Sequence, residues 1–130
     1  MGKYMISNEK IEYEWAGSMN SDAFHVWKGR YLNSVFLFEL GNRGFLITID
    51  KGQITVSRKQ DHVMPQWQLA FRATEEVWEK FFKSVPPPEF HDLLALMKFG
   101  KLTVEGDLHC FMSHLLWFKT LFAGLRHKEQ

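Results

Sequence analysis

An alternation of apolar and polar residues dominates the middle of the chain. From residue 34, three segments read SVFLFEL, GFLITID and QITVSRK, and short connections rich in glycine, asparagine and aspartate separate them. A period of two is typical of strands with one buried face, and such short connections join antiparallel neighbours. The pattern therefore predicts a three-stranded meander over 34–59, whose apolar face needs a cover.

Two more strands are predicted farther along. The segment WQLAFRA (67–73) alternates again after a polar crossover, and KLTVEG (101–106) follows much later. Helical spacing predicts the remaining elements. A short amphipathic helix with Phe24, Trp27 and Tyr31 at three- and four-residue intervals precedes the meander, and further helices span 74–85, 89–99 and 107–123. Residues 1–20 show only weak helical spacing, so we expect an N-terminal appendage to a domain over 21–130.

The last predicted helix carries too many apolar residues for one buried face. A helix that is apolar nearly all round must be buried on two sides or contact a second apolar object. Together with the two helices before it, this helix offers more apolar surface than a sheet with one dry side can cover. The chain therefore either dimerises or encloses an apolar guest. The residues concerned are Leu108, Cys110, Phe111, Met112, Leu115, Leu116, Trp117, Phe118, Leu121 and Phe122.

Composition narrows the function classes. The 130 residues fit one domain, and 45% hydrophobic residues with 12 Phe and 5 Trp indicate a globular, aromatic core. A formal net charge of +1 argues against nucleic acid as a partner. A single cysteine and the lack of a signal peptide favour the cytoplasm. The apolar runs are shorter than the roughly 20 residues of a membrane-spanning helix.

Candidate chemical groups are few. Cys110 and His114 share a helix face, but nothing beside them supplies an orienting group or an oxyanion site. His109 and His114 lie about 140° apart on a helix, so they cannot chelate one metal ion. No glycine-rich phosphate loop occurs, which argues against a nucleotide cofactor. We therefore expect no enzymatic activity, no metal and no cofactor.

The segment Phe99-Gly100-Lys101-Leu102-Thr103-Val104-Glu105-Gly106-Asp107 resembles a family signature. It is similar to the GKL-x-V-x-GD pattern of sterol-carrier-protein type lipid-binding domains, in which the last strand runs directly into the C-terminal helix. The resemblance extends from about Asp22 to Leu121, because the order of helix, three strands, crossover strand, helices, strand and helix also matches. It implies an α+β fold with a curved five-stranded sheet, helices on one face and an apolar tunnel between them.

The same resemblance implies a ligand and a set of lining residues. Family members bind or transfer fatty acids, acyl esters and sterols without catalysing a reaction. The aromatic residues early in the last helix, Phe111 and Trp117, favour a linear guest over a rigid sterol. The implied lining comes from the last strand and helix and from the two preceding helices: Trp78, Phe82, Phe90, Leu94, Met97, Leu102, Val104, Leu108, Phe111, Met112, Leu115 and Phe118.

The expected function is therefore non-enzymatic binding or transfer of a long-chain lipid. One alternative is an interaction module with the same fold and a filled interior, which forms a homodimer or docks on an enzyme. Another is an accessory that presents a quinone-like lipid to enzymes. The basic end, Arg126-His127-Lys128, suits either transient contact with a membrane surface or the dipole of the preceding helix, and the dipole is the simpler interpretation.

Overall fold

A computed structural model describes residues 6–83 and 86–126. Its five strands are β1 (Asn33–Leu40), β2 (Arg43–Asp50), β3 (Gln53–Arg58), β4 (Leu69–Ala73) and β5 (Thr103–Gly106). They form one open sheet in the order β3-β2-β1-β4-β5. The predicted five-stranded α+β fold is confirmed.

The crossover between β3 and β4 makes the sheet mixed. β1 pairs antiparallel with β2, placing Phe36 opposite Ile47, and parallel with β4, placing Phe38 beside Phe71. β5 then pairs antiparallel with β4. Because side chains alternate along each strand, these pairings gather the aromatic residues of β1 and β4 on one face. The helices cover that face.

Six helices accompany the sheet: α1 (Trp15–Asn20), α2 (Ala23–Lys28), α3 (Glu75–Phe81), α4 (Leu93–Lys98), α5 (Leu108–Ser113) and α6 (Leu115–Ala123). A π-helical stretch, Lys10–Glu14, leads into α1, and a 3-10 turn, Lys59–Asp61, follows β3. None of the helices in the described ranges is long and apolar enough to cross a membrane.

Side-chain caps begin four of these helices. Asp22, Thr74, Asp92 and Asp107 each accept a hydrogen bond from a backbone N–H in the first turn, at 3.0–3.2 Å. Such caps satisfy N–H groups that have no partner within the helix. The predicted helix starts at residues 74 and 107 are confirmed to within one residue.

Three of the predicted helices have wrong boundaries. The helix expected over 89–99 begins only at Leu93, since Glu89 has a φ of +76° and cannot continue a right-handed helix. The helix expected over 107–123 is divided at His114, whose backbone leaves the helical region at φ −121° and ψ 31°. His114 Nδ1 also lies 3.1 Å from the carbonyl oxygen of Cys110, which helps to end α5. The helix expected over 74–85 ends at Phe81, and the described residues 82–83 are no longer helical. Residues 84–85 lie outside the described ranges.

The N-terminal segment packs more intimately than expected. Ile11, Trp15 and Met19, spaced four residues apart, are buried in the main core cluster. Trp15 Nε1 donates a hydrogen bond to the carbonyl oxygen of Leu121 at 2.8 Å, and Asn20 bonds both backbone polar groups of Ile54. Residues 6–20 are thus part of the packed core rather than an appendage. Residues 1–5 lie outside the described ranges.

Candidate functional site

A layer of aromatic rings fills the space between the sheet and α6. Phe122 of α6 stands at its centre, with ring centroids 5.0–5.8 Å from five neighbours on the sheet, α1 and α3. Rings this close occupy the volume in which the sequence placed a tunnel. We call this set the aromatic layer: Trp15, Phe36, Phe38, Phe71, Trp78, Phe111, Phe118 and Phe122.

The predicted lining residues divide by exposure. Ten of them lie in or against one core cluster, where Trp78, Phe82, Phe111 and Phe118 are fully buried. Phe90 and Leu102 are also buried, and Leu94, Met97, Val104 and Leu115 are half-buried. Leu108 and Met112 are instead exposed on α5. The structure brings the ten together by direct packing, and their role in lipid binding stays a prediction.

An apolar stripe remains exposed on the last two helices. Leu108, Met112 and Leu116 follow one another at intervals of four residues, and each exposes about half of its surface or more. We call them the outer stripe. The outer stripe therefore accounts for part of the apolar excess that the sequence indicated. The other apolar side chains of these helices are buried in or against the core cluster.

A groove beside α6 combines apolar and cationic groups. It encloses about 390 Å³ and opens to solvent. Phe81, Leu93 and Ala123 supply apolar surface, while Lys119 and Arg126 supply positive charge. Its volume falls in the range of roughly 300–1,000 Å³ typical of small-molecule sites. We call it the α6 groove; its lining residues are Phe81, His91, Asp92, Leu93, Lys119, Thr120, Ala123 and Arg126.

Hydrogen bonds hold the two cations of the α6 groove in place. Arg126 donates from Nε to the carbonyl oxygen of Phe81 at 2.9 Å and from Nη2 to that of His91 at 2.7 Å. Lys119 Nζ lies 3.3 Å from a carboxylate oxygen of Asp92. Partial burial lowers the pKa of Arg126, and the Asp92 carboxylate opposes that shift. With two cations and one carboxylate, the groove carries a net positive charge that suits an anionic group.

A second groove, at the start of β2, has a different character. It encloses about 430 Å³, and its cations are Arg43, Arg58 and Lys59. Each of these cations already contacts a carboxylate, on Glu75, Glu12 and Glu39 respectively. Because these charges are compensated within the protein, this groove offers an anionic ligand less than the α6 groove does.

The Cys110 and His114 pair is not arranged for nucleophilic catalysis. The imidazole Nδ1 of His114 is directed to the backbone carbonyl of Cys110, as described above. Burial raises the pKa of the Cys110 thiol, with the Asp107 carboxylate adding to the shift and a Ser34 hydrogen bond opposing it. A reactive cysteine needs the opposite shift, because the thiolate is the nucleophile. Within residues 6–83 and 86–126, no three His, Cys, Asp or Glu side chains form a metal-binding group.

Sequence reasoning missed the α6 groove. Of its two cations, only Arg126 entered the sequence-based interpretation, as part of the basic end of the last helix. The groove is lined by residues from the end of α3, the start of α4 and the last turns of α6. Because these segments are far apart in the sequence, no local sequence pattern predicts the groove. The other members of the basic end, His127 and Lys128, lie outside the described residues.

Comparison with known proteins identifies the fold. No protein-family model matches the chain, and no curated protein matches its sequence. Among solved structures, a protein described as UbiJ-SCP2 ubiquinone synthesis protein is 20% identical, with a TM-score of 0.58 over 86% of this chain and 89% of that one. A conserved hypothetical protein of Thermus thermophilus, described as possibly a sterol carrier protein, is 6% identical, with a TM-score of 0.64 over 100% and 96%.

A third structure extends the likeness to a eukaryote. Sterol carrier protein 2 from Yarrowia lipolytica, in its apo form, is 10% identical, with a TM-score of 0.55 over 97% of this chain and 100% of that one. The TM-scores of these three structures establish a shared fold. Because the sequence identities are low, the activity has to be argued from the site.

Proposed function

Because the chain has the fold of sterol carrier protein 2 domains, we propose that it binds a long-chain lipid and catalyses no reaction on it. The observation that supports this proposal is the α6 groove, where an apolar floor adjoins Lys119 and Arg126. An amphiphile with an anionic head, such as a fatty acid, matches both features. Its carboxylate pairs with the cations, and its chain lies against the apolar floor.

The energetics require the lipid chain to go deeper than the groove. Full burial of about 14 methylenes at about 0.8 kcal/mol each gives roughly 11 kcal/mol, and association costs at least ~4 kcal/mol. An open groove that buries half of the chain leaves only about 1–2 kcal/mol by the same reckoning. We therefore propose that the chain enters beside Ala123 and shifts part of the aromatic layer while its rings stay buried, since expelling one buried ring would cost about 3–5 kcal/mol. Met97, half-buried in the same core, has the flexibility to accommodate such a change.

Lipid extraction tests the proposal directly. Protein purified from cells and extracted with organic solvent is expected to release a stoichiometric lipid, identified by mass spectrometry. Delipidated protein is expected to take up a fluorescent fatty acid at micromolar concentration. A clean extract together with no uptake would overturn the proposal.

A pair of tryptophan substitutions locates the site. Thr120→Trp adds bulk at the exposed rim of the α6 groove and is expected to weaken uptake at least tenfold. Met112→Trp introduces the same side chain on the outer stripe, and uptake is expected to stay within twofold of wild type. The opposite ranking, in variants shown to be folded by circular dichroism, would place the lipid at α5 as the sequence predicted.

A second pair tests the head group. Arg126→Gln removes a cation of the α6 groove and is expected to weaken fatty-acid binding severalfold while sparing a fatty alcohol. Lys98→Gln removes an exposed cation from α4, outside the groove, and serves as the matched control. Equal losses for acid and alcohol would show that the groove does not hold the carboxylate.

The outer stripe supports a second candidate function. An exposed apolar surface on the last helices could dock on an enzyme or a second copy, with the domain presenting a quinone-like lipid. The structural likeness to a protein described as acting in ubiquinone synthesis is consistent with this candidate. Sedimentation of wild type and Leu116→Ser, and a panel of isoprenoid ligands, distinguish it from the fatty-acid carrier. A dimer that Leu116→Ser dissociates, with isoprenoid binding and no fatty-acid uptake, favours the second candidate.

A further inference from the structure

Helix α2 turns its aromatic side chains to solvent and buries a histidine. Phe24, Trp27 and Tyr31 are 67%, 56% and 82% exposed, whereas His25 is 4% exposed. The sequence predicted that these aromatic residues would form the packed face of an amphipathic helix. In the structure these side chains face solvent instead. A cluster of exposed aromatic side chains of this kind is typical of an interaction surface.

Cations are layered onto these rings. The guanidinium of Arg30 lies 3.7 Å from the ring centroid of Trp27 and 4.8 Å from that of Tyr31. Lys28 Nζ lies 5.1 Å from the ring of Phe24, which stacks in turn with Trp27 at 6.4 Å. We call these five residues the α2 patch.

The charges of the α2 patch are not compensated. The ion pairs within residues 6–83 and 86–126 include neither Lys28 nor Arg30. Lys51, in the turn beside α2, is likewise outside those ion pairs. The patch is therefore both aromatic and positively charged, and Asp22, at the start of α2, is the anionic residue next to it in sequence.

The helix that carries the patch is fixed on the domain. Trp117 Nε1 donates a hydrogen bond to the carbonyl oxygen of His25 at 3.1 Å. The backbone of Gly52 approaches α2 so closely that a Cβ there would lie 2.3 Å from the carbonyl oxygen of Val26. The aromatic residues are thus presented by a supported helix rather than by a loose segment.

We infer that the α2 patch docks on the surface of an anionic lipid bilayer. Trp and Tyr favour the headgroup region, where their rings are partly dry and their polar atoms stay wet. Lys and Arg beside them are attracted to anionic headgroups. The patch offers both groups on α2 and the turn that follows it, and its uncompensated positive charge complements such a surface. This inference is independent of which lipid the α6 groove accepts.

Single-stranded nucleic acid fits the patch less well. Bases stack on open aromatic faces, and Trp27 already contacts both the Phe24 ring and the Arg30 guanidinium. The two cations of the patch, even with Lys51 beside them, also provide little of the electrostatic attraction on which polyanion binding depends. The bilayer is therefore the occupant that we test.

Vesicle flotation tests the inference with the delipidated full chain. The protein is expected to float with phosphatidylcholine vesicles that contain one third phosphatidylglycerol, and at least tenfold less with phosphatidylcholine alone. High salt is expected to weaken the binding because it screens the charges. Brominated phospholipids are expected to quench Trp27 fluorescence, and Trp27→Phe should remove most of that quenching. Trp15, Trp78 and Trp117 are buried, and the half-buried Trp67 packs against a separate small cluster of Leu37, Leu46 and Ala70.

Matched variants locate the contact. Trp27→Ser/Tyr31→Ser is expected to lose vesicle binding at least tenfold. Val63→Ser/Met64→Ser removes two largely exposed apolar side chains that follow β3 and is expected to bind as wild type does. These residues lie beyond the end of β3 opposite the turn that contacts α2. Thr120→Trp should also float normally, which separates this surface from the lipid-binding proposal.

The contrary outcomes are equally defined. Failure of the wild type to bind anionic vesicles overturns the inference, as does unchanged binding of the folded Trp27→Ser/Tyr31→Ser variant. Self-association that this variant abolishes, without vesicle binding, would assign the patch to a second copy of the chain. Binding to an oligonucleotide in preference to vesicles would assign it to nucleic acid.

Discussion

The imidazole of His25, on the buried side of α2, stacks on the indole of Trp117, with ring centroids 4.6 Å apart and an interplanar angle of 13°. Its Nε2 is buried and has no hydrogen-bond partner among the described residues. Burial lowers the pKa of His25; Lys28 adds to the shift and Asp22 opposes it. The fold therefore holds this imidazole in its neutral form.

We predict that His25 makes the protein less stable in mild acid. The unfolded chain binds a proton near pH 6.5, whereas the folded chain does so only at lower pH. Stability is therefore complete above the unfolded pKa and is lost as the pH falls through it towards the folded pKa. The loss from one such group is at most about 1.4 kcal/mol per pH unit.

Urea unfolding at pH 8 and pH 5.5 measures this loss. His25→Phe keeps a ring against Trp117 and cannot be protonated, so its stability should fall less between the two pH values than that of wild type. His109→Gln, at an exposed position on α5, should follow wild type. Identical pH dependence of His25→Phe and wild type would contradict the assignment.

The N-terminal segment is expected to contribute strongly to stability. Trp15→Ala removes a buried indole from the aromatic layer together with its hydrogen bond to Leu121, and should cost about 3–5 kcal/mol. Tyr13→Ala, two residues away at an exposed position, should change stability by less than about 0.5 kcal/mol. The free energy of unfolding in urea checks both values, and equal small effects would mean that the segment is an appendage after all.

The glycine of the Gly106-Asp107 signature is predicted to be irreplaceable for a steric reason. Gly106 has a φ of +99°, and a Cβ there would lie 2.2 Å from the carbonyl oxygen of Gln68, in the strand pairing itself. Gly100 also has a positive φ, of +71°, but nothing lies within 4 Å of its Cβ position. Gly100→Ala should therefore cost only the backbone strain of about 1–2 kcal/mol.

Gly106→Ala carries that strain plus the clash, which typically adds about 1–3 kcal/mol. Thermal unfolding of the two variants side by side measures the difference between them. If both variants lose the same stability, backbone conformation alone explains the glycine.

Local patterns made the sheet predictable from sequence. Apolar and polar residues alternate along β3 and the second half of β2, and each confirmed helix start has a capping side chain, as Thr74 and Asp107 show. These signals act within a few residues, so one sequence suffices to find them. The order of elements followed from them, and with it the resemblance that the structural comparison confirmed.

The errors concern packing between distant segments. Three aromatic residues at helical spacing indicated a buried face on α2, but contacts with Trp117 and the glycine turn at Gly52 rotate that face outward. Ile11, Trp15 and Met19 have helical spacing in the sequence, but the charged residues between them weakened the amphipathic pattern. The groove is assembled from three separate segments, so it has no sequence pattern at all.

Cys110 offers a measurement of whether α5 moves when lipid binds. Its half-buried thiol has a raised pKa, so alkylation by iodoacetamide should be slow at pH 7.5 and accelerate at a higher pH than for free cysteine. Displacement of the aromatic layer by a lipid chain would loosen Phe111, which α5 packs against Phe71. The alkylation rate at pH 7.5 is then expected to rise at least threefold when fatty acid is added to wild type and to stay constant in Thr120→Trp, whose groove is blocked. A rate that fatty acid leaves unchanged in wild type, despite measured uptake, would show that the chain is accommodated without moving α5.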